Sequence, residues 1–162
     1  MKDRELKNQR IKDTLAKTRE KRKTQRCLVF ELKLDSNHFN LKAKEALKMM
    51  FVEAKWLYNF YLSHEDIFKL DYKINKIVHK NKEGVDVESE LKFITARYKS
   101  SILEGIKNSV KALSSTKKKG RKVGRLKFKS QYNSLELSQY GQTHKIVSNN
   151  KIKIAGIKQH LR

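Results

Sequence analysis

At 162 residues the chain has room for one domain, or two small ones, with a buried core. Its formal net charge of +22 calls for a polyanionic partner, nucleic acid first and an anionic membrane surface second. The single cysteine, Cys27, excludes an intrachain disulfide and a cysteine-paired zinc site, no run approaches the roughly 20 apolar residues that span a bilayer, and no apolar stretch follows the charged N-terminus as in a secretory signal. A cytoplasmic, nucleic-acid-associated protein with no membrane partner is the expectation.

The charge is uneven. Residues 1–26 carry a net +7, residues 27–104 only +1, and residues 105–162 a net +14. A near-neutral middle thus lies between two basic flanks.

Residues 2–26 show only a thin apolar stripe, Leu6, Ile11 and Leu15. This arm is either a frayed basic tail or a helix that docks on RNA or DNA, since its composition gives a helix little support of its own. Cys27–Leu34 alternates, with Leu28, Phe30, Leu32 and Leu34 on one face, and predicts a strand with one packed side. Asp35–Asn37 reads as a turn, and Asn40 or Ser36 as the cap of the next helix.

The spacing of Leu41, Leu47, Met50, Phe51, Ala54, Leu57, Tyr58 and Tyr61 predicts a helix over 40–63. Core packing accounts for most of its rings. Trp56, Tyr58 and Phe60 point in different directions, however, which leaves one or two of them, with Lys55 and Asn59, to stack on or bond to nucleotides. Ile67, Leu70, Ile74 and Ile77 predict a second helix over 65–81, with His64 and His79 near its ends as solvent-facing or capping residues. After a loop at Asn81–Asp86, apolar residues from Leu91 to Leu113 predict a third helix over 88–113, with Asp86, Glu88 and Glu90 at its N-terminus, where the dipole favours acids. Other acids, such as Glu45 and Glu65, stand one turn from Lys48 and Lys69 as ordinary helix-surface pairs.

The two halves of the chain are joined by Lys117–Ser130, which holds eight cations, two glycines and no acid. It ends in an alternation, Arg125, Leu126, Lys127, Phe128, Lys129, which can lay charge along phosphates while Leu126 and Phe128 anchor it to a core. The plainer explanation is a solvated loop running into an edge strand guarded by lysines. For nucleic acid, Arg121 and Arg125 suit bidentate contact with phosphate or guanine, Lys119, Lys122, Lys127 and Lys129 act as point charges, and Lys117 and Lys118 join them as binding residues. Strands are predicted at Arg125–Lys129, Ser134–Ser138, Lys145–Val147 and Lys151–Ile154, the last two as a hairpin around Asn149 and Asn150, residues that tolerate positive φ. The predicted fold is α+β. A helical bundle (39–116) is inserted into a small, partial antiparallel β-barrel (27–38 and 117–162), preceded by a basic helical arm (1–26).

The order of parts resembles the N-terminal half of the TnpB (OrfB-type) transposon-associated proteins, relatives of the compact type V CRISPR effectors. The resemblance runs over roughly residues 27–157 and rests on Lys55-Trp56-Leu57-Tyr58-Asn59-Phe60, Gly120–Ser130 and Lys151–Gly156. It implies a recognition lobe that holds a guide-like RNA and target DNA. Tyr58 and Asn59 then fall on the helix that approaches nucleic acid, and Lys127, Phe128 and Lys129 on the family's Lys-Phe-Lys strand. Leu126 stands where the family usually has proline, and the chain has no proline at all. The carboxylates of the family's RuvC-like nuclease half and its zinc ribbon are not in this sequence, so a separately encoded nuclease half is an implied partner.

Catalysis is not expected of this chain. Metal-dependent phosphodiester cleavage needs clustered carboxylates, and Glu136 is the only acid after Glu104. Gly120 to Gly124 lacks the Gly-Lys-Ser/Thr ending of a phosphate loop. No cofactor is implied. Two other readings remain: a general basic RNA-binding protein, and a DNA-binding regulator using 40–63 and 65–81 as a helix-turn-helix.

Overall fold

The computed structural model describes residues 2–26, 29, 31, 33–81 and 83–162. The chain divides into two compact units, Met1–Lys33 and Leu34–Arg162. The described part of the first unit is dominated by helix α1, Lys2–Lys23, whose side chains from Arg4 onward are all exposed. Gln9 donates to Asp13 at 3.0 Å and Lys23 pairs with Glu20 at 2.7 Å, contacts of one helical turn. The strand expected over Cys27–Leu34 rests on Cys27, Leu28, Phe30 and Leu32, which lie outside the described residues; residues 29, 31, 33 and 34 carry no strand.

The second unit is α+β. It contains α2 (Leu41–Ser63), β1 (Lys76–Lys80), β2 (Asp86–Glu90), α3 (Ala96–Lys118), β3 (His144–Ser148) and β4 (Lys151–Ile154). The strands form two separate antiparallel pairs, β1 with β2 and β3 with β4, so the described residues make two hairpins and no closed barrel.

Helix α2 begins as its sequence predicts. The Asn40 side chain accepts from the Ala43 N–H at 2.7 Å, satisfying a donor that the first turn leaves open. Ala43, Met50, Ala54, Leu57 and Tyr61 turn inward at helical spacing. Before it, a short 3-10 turn at Ser36–His38 is capped by Asp35. At its far end the His64 ring bonds the Phe60 carbonyl at 2.8 Å, so His64 closes α2 and not the start of a helix over 65–81.

The helix predicted over 65–81 does not form. The segment is a single 3-10 turn (Ile67–Lys69), a connecting stretch and strand β1. Asp66 and Asp71 accept from the N–H groups of Phe68 and Tyr72, local bonds that compete with helix hydrogen bonding, and the β-branched Ile77 and Val78 suit a pleated ladder. Ile77 still reaches the core, but from a strand. A helix-turn-helix built on 40–63 and 65–81 therefore has no second helix.

Helix α3 starts at Ala96, eight residues later than the predicted 88. Residues 86–90 instead pair with β1 in the register Lys80–Asp86, Val78–Glu88, Lys76–Glu90. The acids read as a helix N-terminus are thus strand residues: Asp86 pairs with Lys80 at 3.2 Å and Glu88 with Lys76 at 3.5 Å, both exposed. The Glu45–Lys48 and Glu65–Lys69 pairs do not form among the described residues; Lys69 pairs with Asp66 instead. Tyr98, Ile102, Leu103 and Ile106 bury one face of α3, and Gly120, with φ of +75°, ends its C-terminal turn by bonding the Lys117 carbonyl.

Three buried polar groups tie these elements together. The Glu53 carboxylate, 1% exposed, accepts from the backbone N–H groups of Lys92, Phe93 and Ile94 at 2.8–2.9 Å, just ahead of α3. The Lys99 ammonium donates to the Ile74 carbonyl at 2.8 Å and the Asn75 side chain at 2.9 Å. The Tyr98 hydroxyl is shared between the Thr143 and Ala155 carbonyls at 3.2 and 3.0 Å, fixing the C-terminal hairpin on α3. Burial lowers the pKa of Lys99, an effect that the Glu53 charge opposes, and pushes Tyr98 up to about 12.

The hairpin predicted at 145–154 is present, with a register shift between Ile146 and Ser148. Neither Asn149 nor Asn150 adopts a positive φ; the bulge accommodates the turn instead. A positive φ follows the hairpin at Gly156, +89°, where an added Cβ would stand 2.8 Å from the Phe93 carbonyl. Leu161 then bonds reciprocally to Ile152 along the outer edge of β4. No strand forms at Arg125–Lys129 or Ser134–Ser138. Their few apolar residues settle on the core without a partner strand: Leu126, Leu135 and Leu137 are partly buried, while Phe128, expected as an anchor, is 64% exposed. No helix among the described residues is long and apolar enough to cross a membrane.

Candidate nucleic-acid interface

Beyond Gly120 the chain continues as an extended segment over the surface of α2. Its backbone needs hydrogen-bond partners, and Asn59 supplies a pair. The Asn59 side chain donates to the Lys129 carbonyl at 2.9 Å and accepts the Lys129 N–H at 2.8 Å, so one amide replaces one residue of a neighbouring strand. Asn59 is therefore a positioning residue, with both ends of its amide engaged. Beside it, the Lys129 ammonium lies 4.5 Å from the Tyr58 ring centre and 4.4 Å from that of Tyr132.

Tyr58 is 9% exposed and packs against Tyr132, so it offers no open face to a base, contrary to the sequence-based expectation. Burial raises the pKa of Tyr58. Burial raises Tyr132 as well, with Tyr58 and Glu136 adding to the effect. Both phenols stay neutral at ordinary pH and act as ring faces for Lys129.

Trp56 points to the other side of α2. His79 of β1 stacks on it, ring centres 3.9 Å apart and planes 11° from parallel. The expected solvent-facing or capping role for His79 is thus corrected to a stacking one. Its Nδ1 faces the Lys80 carbonyl at 3.2 Å and its Nε2 the Ser89 hydroxyl at 2.9 Å. A carbonyl only accepts, so Nδ1 carries the hydrogen and Nε2 is free to accept from Ser89.

Lys55, Trp56, Asn59, Phe60, His79, Phe128 and Lys129 meet around a cleft of about 350 Å³, which also borders Lys80 and Asp86. A second, shallower hollow of about 400 Å³ lies against Lys48, Phe51, Val52 and Tyr132, and Lys55 borders both. Of the residues singled out in the sequence, Lys55, Trp56, Asn59 and Lys129 come together here. Lys117 and Lys118 lie in the last turn of α3 and Lys119 caps it. Arg121, Lys122, Arg125 and Lys127 are exposed along the segment. Those seven border neither hollow, and among the described residues none is in an ion pair.

His79, Phe60 and Phe128 join the cleft without having been singled out as binding residues. The alternation Lys76-Ile77-Val78-His79-Lys80 carries the signal that would have found His79, because a strand sends Ile77 and His79 to the same face. Glu53 and Lys99 were also missed; they look like surface charges until the fold buries them. Comparison with protein-family models, with curated proteins and with solved structures gives no match for this chain.

Proposed function

We propose that this chain is a nucleic-acid-binding module, and that its cationic segment from Lys117 to Lys129 runs along a phosphate backbone. The observation that carries this reading is that eight cations in a row of thirteen residues stand exposed, unpaired among the described residues and without an intervening acid. Surface lysines on soluble domains are usually interleaved with acids, as they are along β1 and β2 of this same chain. A one-sided run creates a field that water and salt screen, and that phosphates neutralise with release of their counterions. The activity assigned to the chain is binding, with no catalytic step of its own.

The finer form of the proposal follows the resemblance to the TnpB-type proteins. In it the chain is a recognition lobe that holds a guide-like RNA and target DNA, and a separately encoded nuclease half acts on what it holds. The general form is tested by the salt dependence of affinity. Replacing Arg121, Lys122 and Arg125 by alanine lowers the slope of log K against log salt by roughly 2–3 if each contacts one phosphate. An unchanged slope sinks the assignment of this segment. The finer form is tested by expressing the chain with its native flanking DNA and sequencing what copurifies. One discrete RNA supports a guide-holding lobe, and a mixture lost as salt rises leaves a general binder.

A further inference from the structure

The cleft beside Trp56 combines features that a phosphate-binding surface does not need. Phe128 is a large apolar ring exposed near the end of a cationic run, with Lys127 and Lys129 on either side. It borders the same hollow as Trp56, Phe60 and His79, four rings from three separate stretches of chain. The cleft volume, about 350 Å³, falls at the small end of the roughly 300–1,000 Å³ typical of ligand sites, which admits one flat ring system and excludes a duplex. The charge at its rim is positive. Asp86 is engaged by Lys80 at 3.2 Å, whereas Lys55 is in no ion pair among the described residues.

We propose that this cleft receives one unpaired base of a single-stranded nucleic acid, with Phe128 as the mobile stacking face and Lys55 at the adjoining phosphate. The proposal rests on the nucleic-acid reading of the basic segment and deepens it from charge to base contact. Trp56 is held by His79 as one half of a fixed pair of rings, so it forms a rigid wall and not the closing face. Phe128 precedes Lys129, whose backbone Asn59 fixes to α2, so its ring can swing only about a pinned neighbour. Aromatic walls with lysines at the rim take any base, because every base has a π-face. The shallow hollow on the far side of Lys55 gives the next residue of the strand a place to lie.

Trp56 is the only tryptophan of the chain, so tryptophan emission reports on this cleft alone. The full chain is titrated with a labelled strand of thymidines and with an equally long abasic strand, following label anisotropy and Trp56 emission together. Both strands are expected to bind, and only the thymidine strand to change Trp56 emission. Phe128→Ala is expected to weaken the thymidine strand about tenfold and to leave the abasic strand within about twofold. Equal affinity and equal emission for the two strands overturns base insertion while leaving the phosphate-binding reading intact. No anisotropy change with either strand at low salt overturns both. The comparison of strands on the unaltered chain does not depend on how any variant folds.

Discussion

Glu53 and Lys99 lie in the core of residues 34–162, while the cations from Lys117 to Lys129 line its surface, and the two groups are held in opposite ways. Each buried charge is surrounded by fixed partners: three backbone N–H groups for Glu53, a carbonyl and an amide oxygen for Lys99. The surface cations have no ion-pair partner among the described residues, and it is a backbone, that of Lys129, that Asn59 attaches to the domain. Inside, a charge is tolerated only when its geometry is fully specified, so it specifies where α2, α3 and β1 meet. Outside, charge left without partners is charge available to a ligand.

That contrast can be broken most forcefully at Glu53. Glu53→Ala strands three N–H groups in the core, and a loss of about 3–5 kcal/mol in unfolding free energy is expected by urea titration. A loss below about 1 kcal/mol would show that water replaces the carboxylate at little cost. Asn59→Ala probes the surface attachment. It removes two hydrogen bonds from a half-buried site, so about 1–2 kcal/mol is expected, together with faster hydrogen exchange at the Lys129 amide. If exchange at Lys129 is unchanged, the amide is not what holds the segment.

At neutral pH the remaining effect is nil, and it emerges only under alkaline conditions. Tyr98 has its pKa raised to about 12 from an ordinary 10.0, so its contribution to stability is complete below pH 10 and is lost as pH climbs from 10 through about 12. Tyr61, raised chiefly by burial and further by Asp71, acts in the same direction. Lys99, lowered by burial, acts oppositely: its charged form disfavours the fold, and stability rises as pH passes from its lowered pKa toward 10.5. The expected outcome is a melting temperature that falls above pH 10, and falls less steeply in Tyr98→Phe. Parallel curves for the two proteins would exclude Tyr98 as a source of the alkaline loss.

Burial was mostly legible in the sequence, and conformation mostly was not. Helix α2 was legible because Asn40 caps it and its apolar residues keep period over six turns. The C-terminal hairpin was legible from two alternating runs. The segment 65–81 shows the limit: Ile67, Leu70, Ile74 and Ile77 do turn inward, yet spacings of three and four also arise when a turn and a strand pass the core in succession. The start of α3 is fixed in part by Glu53, about forty residues upstream, and no local pattern announces that. At the candidate site, Lys55, Trp56, Asn59 and Lys129 could be picked out by type, but not that Asn59 faces protein and Phe128 faces water.

The Asn59–Lys129 attachment spans seventy residues of chain. Closing a loop of that length costs entropy that a pair of hydrogen bonds recovers only once the enclosed α3 and β1 are already packed. The attachment is therefore among the last contacts to form and the first to open, and opening it leaves the core of α2 and α3 undisturbed. Leu126 and Tyr132 stay packed against the core on either side of Lys129, so opening the attachment would free a short stretch of backbone without unfolding the domain.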